Sequence, residues 1–176
     1  MPYIALQLGP AGAALIRFFE GCAKRRTDGT FAAYPDPATG AAPWTIGWGS
    51  TGPDITRATV WTQAQCDARF TRDSAAFAVK IAALLGTSAT GQHQFDAMVC
   101  LAYNIGVQNL AGSTLLARHK AGDFAAAQAQ FARWNRANGK PMAGLTRRRA
   151  AEAALYGAPV GKVGDTHLIQ QITGGR

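Results

Sequence analysis

Between residues 24 and 56 the chain carries Gly29, Gly40, Gly47, Gly49 and Gly52 together with Pro35, Pro37, Pro43 and Pro53. No other feature limits the fold as much. Proline fixes φ and lacks a backbone donor, and glycine supplies positive φ, so this stretch cannot be helix and must turn repeatedly. Asp28-Gly29 is a tight-turn signal. The flanking runs "TFAAY" and "WTIGW" are β-branched and aromatic, as short strands require. The stretch therefore reads as a small β lobe over about residues 24–56.

Both sides of it read as helix. Pro10 suits a first helical turn, and a helix running to Glu20 would bury Leu15, Ile16 and Phe19. Thr62 and Gln65 in "TQAQ" have the spacing of a capping box. The helix they open would bury Phe70, Phe77, Ile81 and Leu84 and close at Gly86. "QHQFDAMVCLAYNIG" spaces Phe95, Met98, Val99, Ala102 and Ile105 along one helical face. Ser113 can cap "TLLARHKAG", and Asp123 can cap "FAAAQAQFARW". The last helix is "RRRAAEAALY", closed by Gly157, and residues 159–176 turn polar and glycine-rich, as a loosely attached tail would. The expected class is α+β, mainly α: a single domain over residues 1–158, with the β lobe and a larger helical lobe over about 60–157. A cleft would lie between the lobes, with the end of the first helix on one wall.

A content of 48% hydrophobic and 16% charged residues excludes a disordered chain. The net charge of +8 directs the surface toward polyanions, whether nucleic acid, anionic lipid or acidic envelope polymers. Cys22, Cys66 and Cys100 show neither metal-ligand nor disulfide-framework spacing and read as buried thiols, with one disulfide as the alternative. "YIALQLGPAGAALI" lacks a positive leading region and is shorter than the roughly 20 residues of a membrane span. It is read as helix start rather than export signal, with a weak membrane tether as the alternative.

Elimination narrows the chemistry. His93, His119 and His167 have no metal-binding spacing and read as solvated or singly hydrogen-bonded. Neither a nucleophile elbow nor a phosphate-binding loop is present, and no metal or cofactor is implied. Carboxylates remain, and the chain has two glutamates. Glu152 follows Arg148 by four residues, so a surface ion pair accounts for it. Glu20 follows Phe18-Phe19 at a helix C-terminus, where the macrodipole and the rings both disfavour a charged carboxylate. That suits a general acid, which must hold a proton to donate. On the facing strands, Asp36 could supply an ionised carboxylate and Thr45 a hydroxyl that orients water. By themselves, Asp36 between two prolines also reads as a turn residue, and Thr45 as an ordinary strand residue.

The run Glu20-Gly21, Ala33-Tyr34-Pro35-Asp36 and Trp44-Thr45-Ile46-Gly47-Trp48-Gly49 resembles the phage-type lysozyme family, glycoside hydrolase family 24. "QFDAMVCLAYNIG", "STLLARHKAGDFAAAQAQFARW" and "GLTRRRAAEAALYG" are also like its endolysin members. The resemblance implies a lysozyme-like fold and hydrolysis of the β-1,4 links of peptidoglycan between N-acetylmuramic acid and N-acetylglucosamine. Glu20 then matches the catalytic acid, Asp36 the catalytic aspartate and Thr45 the catalytic threonine. Arg148, Asn104 and Ser50 are supporting or substrate-binding candidates, with Arg147 one step from Arg148.

This chain departs from the family pattern in three places. "KRRTDGT" lengthens the Glu-to-Asp interval, so Asp28 competes with Asp36; Asp28 reads as a hairpin tip, and Asp36 has the matching neighbours. "ATGAAP" lengthens the next interval. Gly49-Ser50-Thr51 stands where the family has Gly-His-Thr. The implied setting is a monomer held in the host cytoplasm, reaching peptidoglycan through a holin-type membrane permeabiliser. A nucleic-acid role is not expected, because the basic residues are dispersed. The rival reading is a lysozyme-fold wall-binding or structural component without turnover.

Overall fold

Pro10, whose missing donor costs nothing in a first turn, opens α1 (Pro10–Glu20). The structure is a computed structural model that describes residues 6–35, 40–159 and 165–174. The chain divides into two compact units, residues 17–74 and residues 1–16 with 75–176. The smaller unit takes in the last turn of α1 and the first turns of α2 as well as the glycine- and proline-rich stretch.

In the smaller unit β1 (Phe31–Ala32) pairs antiparallel with β5 (Val60–Trp61). A separate three-stranded sheet orders β2 (Tyr34–Pro35), β3 (Trp44–Ile46) and β4 (Ser50–Thr51) side by side, all antiparallel. Tyr34 stands opposite Thr45, and Ile46 opposite Ser50. The core is Phe31, Ile46, Ile55 and Cys66, with Trp44, Trp48 and Trp61 packed on it. Trp44, beside Thr45 on β3, thus packs inward as the strand alternation predicts, and Trp48 reaches the same core from the turn that follows. Asp28 occupies the expected turn: its carboxylate accepts from the amide and hydroxyl of Thr30, and Gly29 takes φ 82.

α2 (Gln63–Leu85) starts at the predicted capping box, with the Thr62 amide donating to Gln65 Oε1 at 2.8 Å and the Gln65 amide to Thr62 Oγ1 at 3.3 Å. Its buried side shifts slightly from the predicted stripe: Phe70, Ile81 and Leu85 are buried, whereas Phe77 and Leu84 are half-buried. Arg69 ties α2 to the sheet by donating to Asp54, Asp73 and the Thr51 carbonyl.

In the larger unit α3 (Gln92–Ile105) is buried around its whole circumference from Phe95 to Ala102, the signature of a central helix. It carries Asp96, 1% exposed, whose carboxylate accepts from the amides of Gly9 and Gly12 at 2.8 and 3.2 Å. A residue remote in sequence therefore caps the start of α1. A Cβ on Gly12 would lie 2.8 Å from that of Asp96, so only glycine permits this approach.

α4 (Val107–Ala111), α5 (Thr114–Lys120) and α6 (Phe124–Ala129) follow, and the predicted Ser113 and Asp123 caps form at 3.0 and 3.2 Å. A 3-10 turn (Gln130–Trp134) leads to the hairpin of β6 (Arg136–Ala137) and β7 (Lys140–Pro141), then α7 (Ala143–Gly157). Within the region expected to be a loose tail, α8 (Asp165–Thr173) forms, with Ile169 buried.

Two expectations from sequence are overturned here. Glu152 is fully buried, not on the surface, and accepts from both Arg148 and Arg149, themselves buried, at 3.1 and 2.7 Å. Burial raises the Glu152 carboxyl and lowers the Arg149 guanidinium, each against the pull of its partner. His119 is likewise buried, its ring bonded to Thr90 Oγ1 at 2.8 Å and to the Tyr156 hydroxyl at 2.6 Å. Burial holds it below the usual histidine range.

Candidate active site

Glu20 is the last residue of α1. Gly21 ends the helix at φ 61, its amide donating to the Arg17 carbonyl at 3.0 Å. The Glu20 side chain is half-buried. Of the two rings expected to shield it, Phe18 is 40% exposed, and the Phe18–Phe19 pair meets edge to face at 5.0 Å. The close neighbour is instead backbone. A Cβ on Gly49 would lie 3.0 Å from Glu20 Oε2, and Gly49 has φ 88. Glycine is required twice over at this position, for conformation and for space. Gly47, at φ 62, does the same two residues earlier, where a Cβ would lie 3.1 Å from Cys66. The two glycines of "TIGWG" thus let one turn rest on α2 and return to Glu20.

Thr45 lies on β3 directly opposite Tyr34, and directly paired residues share one sheet face. Tyr34 is half-buried, and burial raises its phenol, with the negative charge of Glu20 adding to the effect. Thr45 therefore occupies the sheet face whose phenol senses Glu20, while Trp44 and Ile46 turn to the core. The smaller unit by itself contains all four residues, with Glu20 against Gly49 and Tyr34 opposite Thr45.

Ser50 goes elsewhere. It stands opposite Ile46 and is 2% exposed, on the core face. Its hydroxyl finds no partner among the described residues. Asp36 lies outside the described residues. Arg148 and Asn104 belong to the larger unit, where Arg148 donates to Glu152 and the Asn104 Oδ1 accepts from Arg149 at 3.0 Å. Sequence reasoning missed Tyr34 and Gly49 as members of the site. The signals were the strand alternation that puts Tyr34 level with Thr45, and a second glycine two residues after Gly47.

A glutamate-terminated helix, a short antiparallel sheet whose glycine turn comes back to it, and a helical remainder define a lysozyme-type fold. The family model for phage lysozyme matches residues 19–152, and the chain belongs to that family. Relatives include an endolysin of Bacillus phage PZA, 37% identical over 86% of this chain and 55% of its own length. An endolysin of Acyrthosiphon pisum secondary endosymbiont phage 1 is 39% identical over 66% of this chain and 81% of its own length. The chain spans about half the length of the Bacillus phage relatives it matches.

Among solved structures, the muramidase domain of SpmX from Asticaccaulis excentricus aligns with a TM-score of 0.74 at 29% identity, covering 87% of this chain and 99% of that one. An endolysin from Escherichia coli O157:H7 phage FAHEc1 aligns at 0.71 and 31% identity, covering 89% and 95%.

Proposed function

We propose that the chain is an endolysin-type muramidase that hydrolyses the β-1,4 bonds between N-acetylmuramic acid and N-acetylglucosamine in peptidoglycan. One observation carries the reading. The single glutamate at the end of α1 rests against the glycine turn that follows Thr45, within the residues the phage lysozyme family matches. Glu20 protonates the leaving oxygen as the glycosidic bond opens. Asp36, ionised, stabilises the oxocarbenium-like charge and helps activate water, and Thr45 orients that water. Tyr34 forms part of the wall beside Glu20. The net charge of +8 suits a polymer bearing free carboxylates.

The same reading supplies a setting. The protein acts as a monomer, accumulates in the host cytoplasm and reaches the wall when a holin-type permeabiliser opens the membrane. Among the described residues no helix is long and apolar enough to cross a membrane. The test is clearing of outer-membrane-stripped cells by purified Glu20→Gln. This change keeps the shape and removes the acid, so clearing at the parental rate defeats the assignment.

A further inference from the structure

Arg17 lies one helical turn before Glu20 on α1, and its carbonyl accepts the amide with which Gly21 ends the helix. Its guanidinium carbon stands over two rings of the smaller unit: that of Trp48, 5.6 Å from the centroid, and that of Phe70 on α2, 4.6 Å from the centroid. Both lie within the roughly 6 Å over which an aromatic face attracts a cation. The Nη2 atom is also 3.8 Å from Asp67 Oδ1, the oxygen that accepts from the Trp48 indole at 2.7 Å and from the Gln63 side-chain amide at 3.2 Å. The Arg17 Nε is buried and has no hydrogen-bond partner among the described residues, so the two rings and the carboxylate hold the group.

We propose that Arg17 is a positioning residue for Glu20, fastening the turn Gly47-Trp48-Gly49 to the last turn of α1. The contacts close a circuit. α1 carries the chain from Arg17 to Glu20, the Glu20 carboxylate rests against Gly49, Gly49 follows Trp48, and the Trp48 ring returns to Arg17. Without the guanidinium, Trp48 keeps its bond to Asp67 and its packing on the core, so the turn stays attached to α2. Its attachment to the last turn of α1 is lost, and with it the fixed distance from Gly49 to the carboxylate. Arginine suits this place because a planar, weakly hydrated cation can lie on ring faces while its edge meets a carboxylate. Glu20 as the acid belongs to the muramidase reading, on which this role rests; the circuit itself stands on geometry alone.

The experiment compares the folded parent with Arg17→Met, which keeps an apolar stem against the rings and removes the cation. Arg72→Met is the control, because Arg72 is an exposed arginine of α2 whose carboxylate partner is Asp73, at 3.5 Å. Two quantities are read well below the unfolding midpoints. One is kcat and KM for release of reducing ends from solubilised glycan strands; the other is the NMR order parameter of the Gly49 amide. Arg17→Met should lower kcat about tenfold with KM within about twofold, because a small displacement of the reacting group acts on the chemical step. Its Gly49 amide should lose order, while the Gly122 amide of the larger unit stays at the parental value. Arg72→Met should match the parent in both. A role in stability alone would lower the unfolding midpoint and leave both readings unchanged.

On the parent itself, the Arg17 Nε–H should be as ordered as the neighbouring backbone, whereas that of Arg72 is mobile. This reading needs no variant, so failure of Arg17→Met to fold leaves the test intact. Three outcomes would overturn the proposal: an Arg17 Nε–H as mobile as that of Arg72, a Gly49 amide in Arg17→Met as ordered as in the parent, or a parental kcat in Arg17→Met. A parent that releases no reducing ends defeats the muramidase reading instead, and the two NMR readings still decide whether Arg17 holds the turn.

Discussion

Gly49→Ala tests whether the turn after Thr45 sets the position of Glu20. The substitution has two costs that can be separated. Alanine at φ 88 carries backbone strain of about 1–2 kcal/mol. The new methyl would also lie 3.0 Å from Glu20 Oε2, tighter than an ordinary contact, so the carboxylate must yield by a few tenths of an ångström. Displacing a reacting group by about 1 Å can cost about a hundredfold in rate, and a smaller shift should cost about tenfold.

Gly122→Ala is the control. Gly122 has φ 77 and open space around its absent Cβ, so it bears the strain without the contact. Thermal unfolding should place both variants about 2–8 °C below the parent, because each kcal/mol moves a chain of this size by about 2–4 °C. Clearing of outer-membrane-stripped cells, measured well below both midpoints, should fall about tenfold for Gly49→Ala and stay at the parental rate for Gly122→Ala. Equal activity in the two variants would refute the argument that the glycine turn holds the carboxylate.

Three further outcomes follow from the packing. Glu152→Ala leaves two buried guanidiniums without their shared carboxylate and should cost about 3–5 kcal/mol in denaturant unfolding, far more than an exposed pair could. Ser50→Ala removes a buried hydroxyl that has no partner among the described residues, so stability should hold within about 0.5 kcal/mol or rise, with clearing activity retained. His119 has a folded value lowered by burial, so below the ordinary histidine value near 6.5 the unfolded chain binds the extra proton first. Its contribution is present above that value and is lost as pH falls toward the folded value; midpoints at pH 7.5 and 5.5 should therefore drop more for the parent than for His119→Gln.

The parts of the structure legible in the sequence are those whose partners lie a few residues apart. The Thr62–Gln65 capping box, the Ser113 and Asp123 caps and the Asp28–Gly29 turn all formed where their spacing placed them. The inward Trp44 followed from the two-residue period of a strand, and that period also sets the face Thr45 shares with Tyr34. Of the candidate site, the end of α1 and the strand carrying Thr45 could be read directly, because a local pattern specifies each.

Direction across the fold could not be read in this way. An arginine–glutamate spacing of four has the same form on an exposed face as on a buried one, and only the packing of α7 in the larger unit put Glu152 and Arg149 out of reach of water. His119 has partners at Thr90 and Tyr156, on segments that no local spacing connects to it. Ser50 turned inward because its register opposite Ile46 left it no other face. Sequence by itself determined the main helices, the strand carrying Thr45 and the Asp28–Gly29 turn, though not α4, the β6–β7 hairpin or α8, because steric rules and short-range hydrogen bonds act within a turn or two. Tertiary structure alone decided that Gly49 meets Glu20 and that Asp96 caps a helix starting more than eighty residues earlier. Those pairings exist only once burial of apolar surface has brought distant segments together, and no local pattern records which segments will meet.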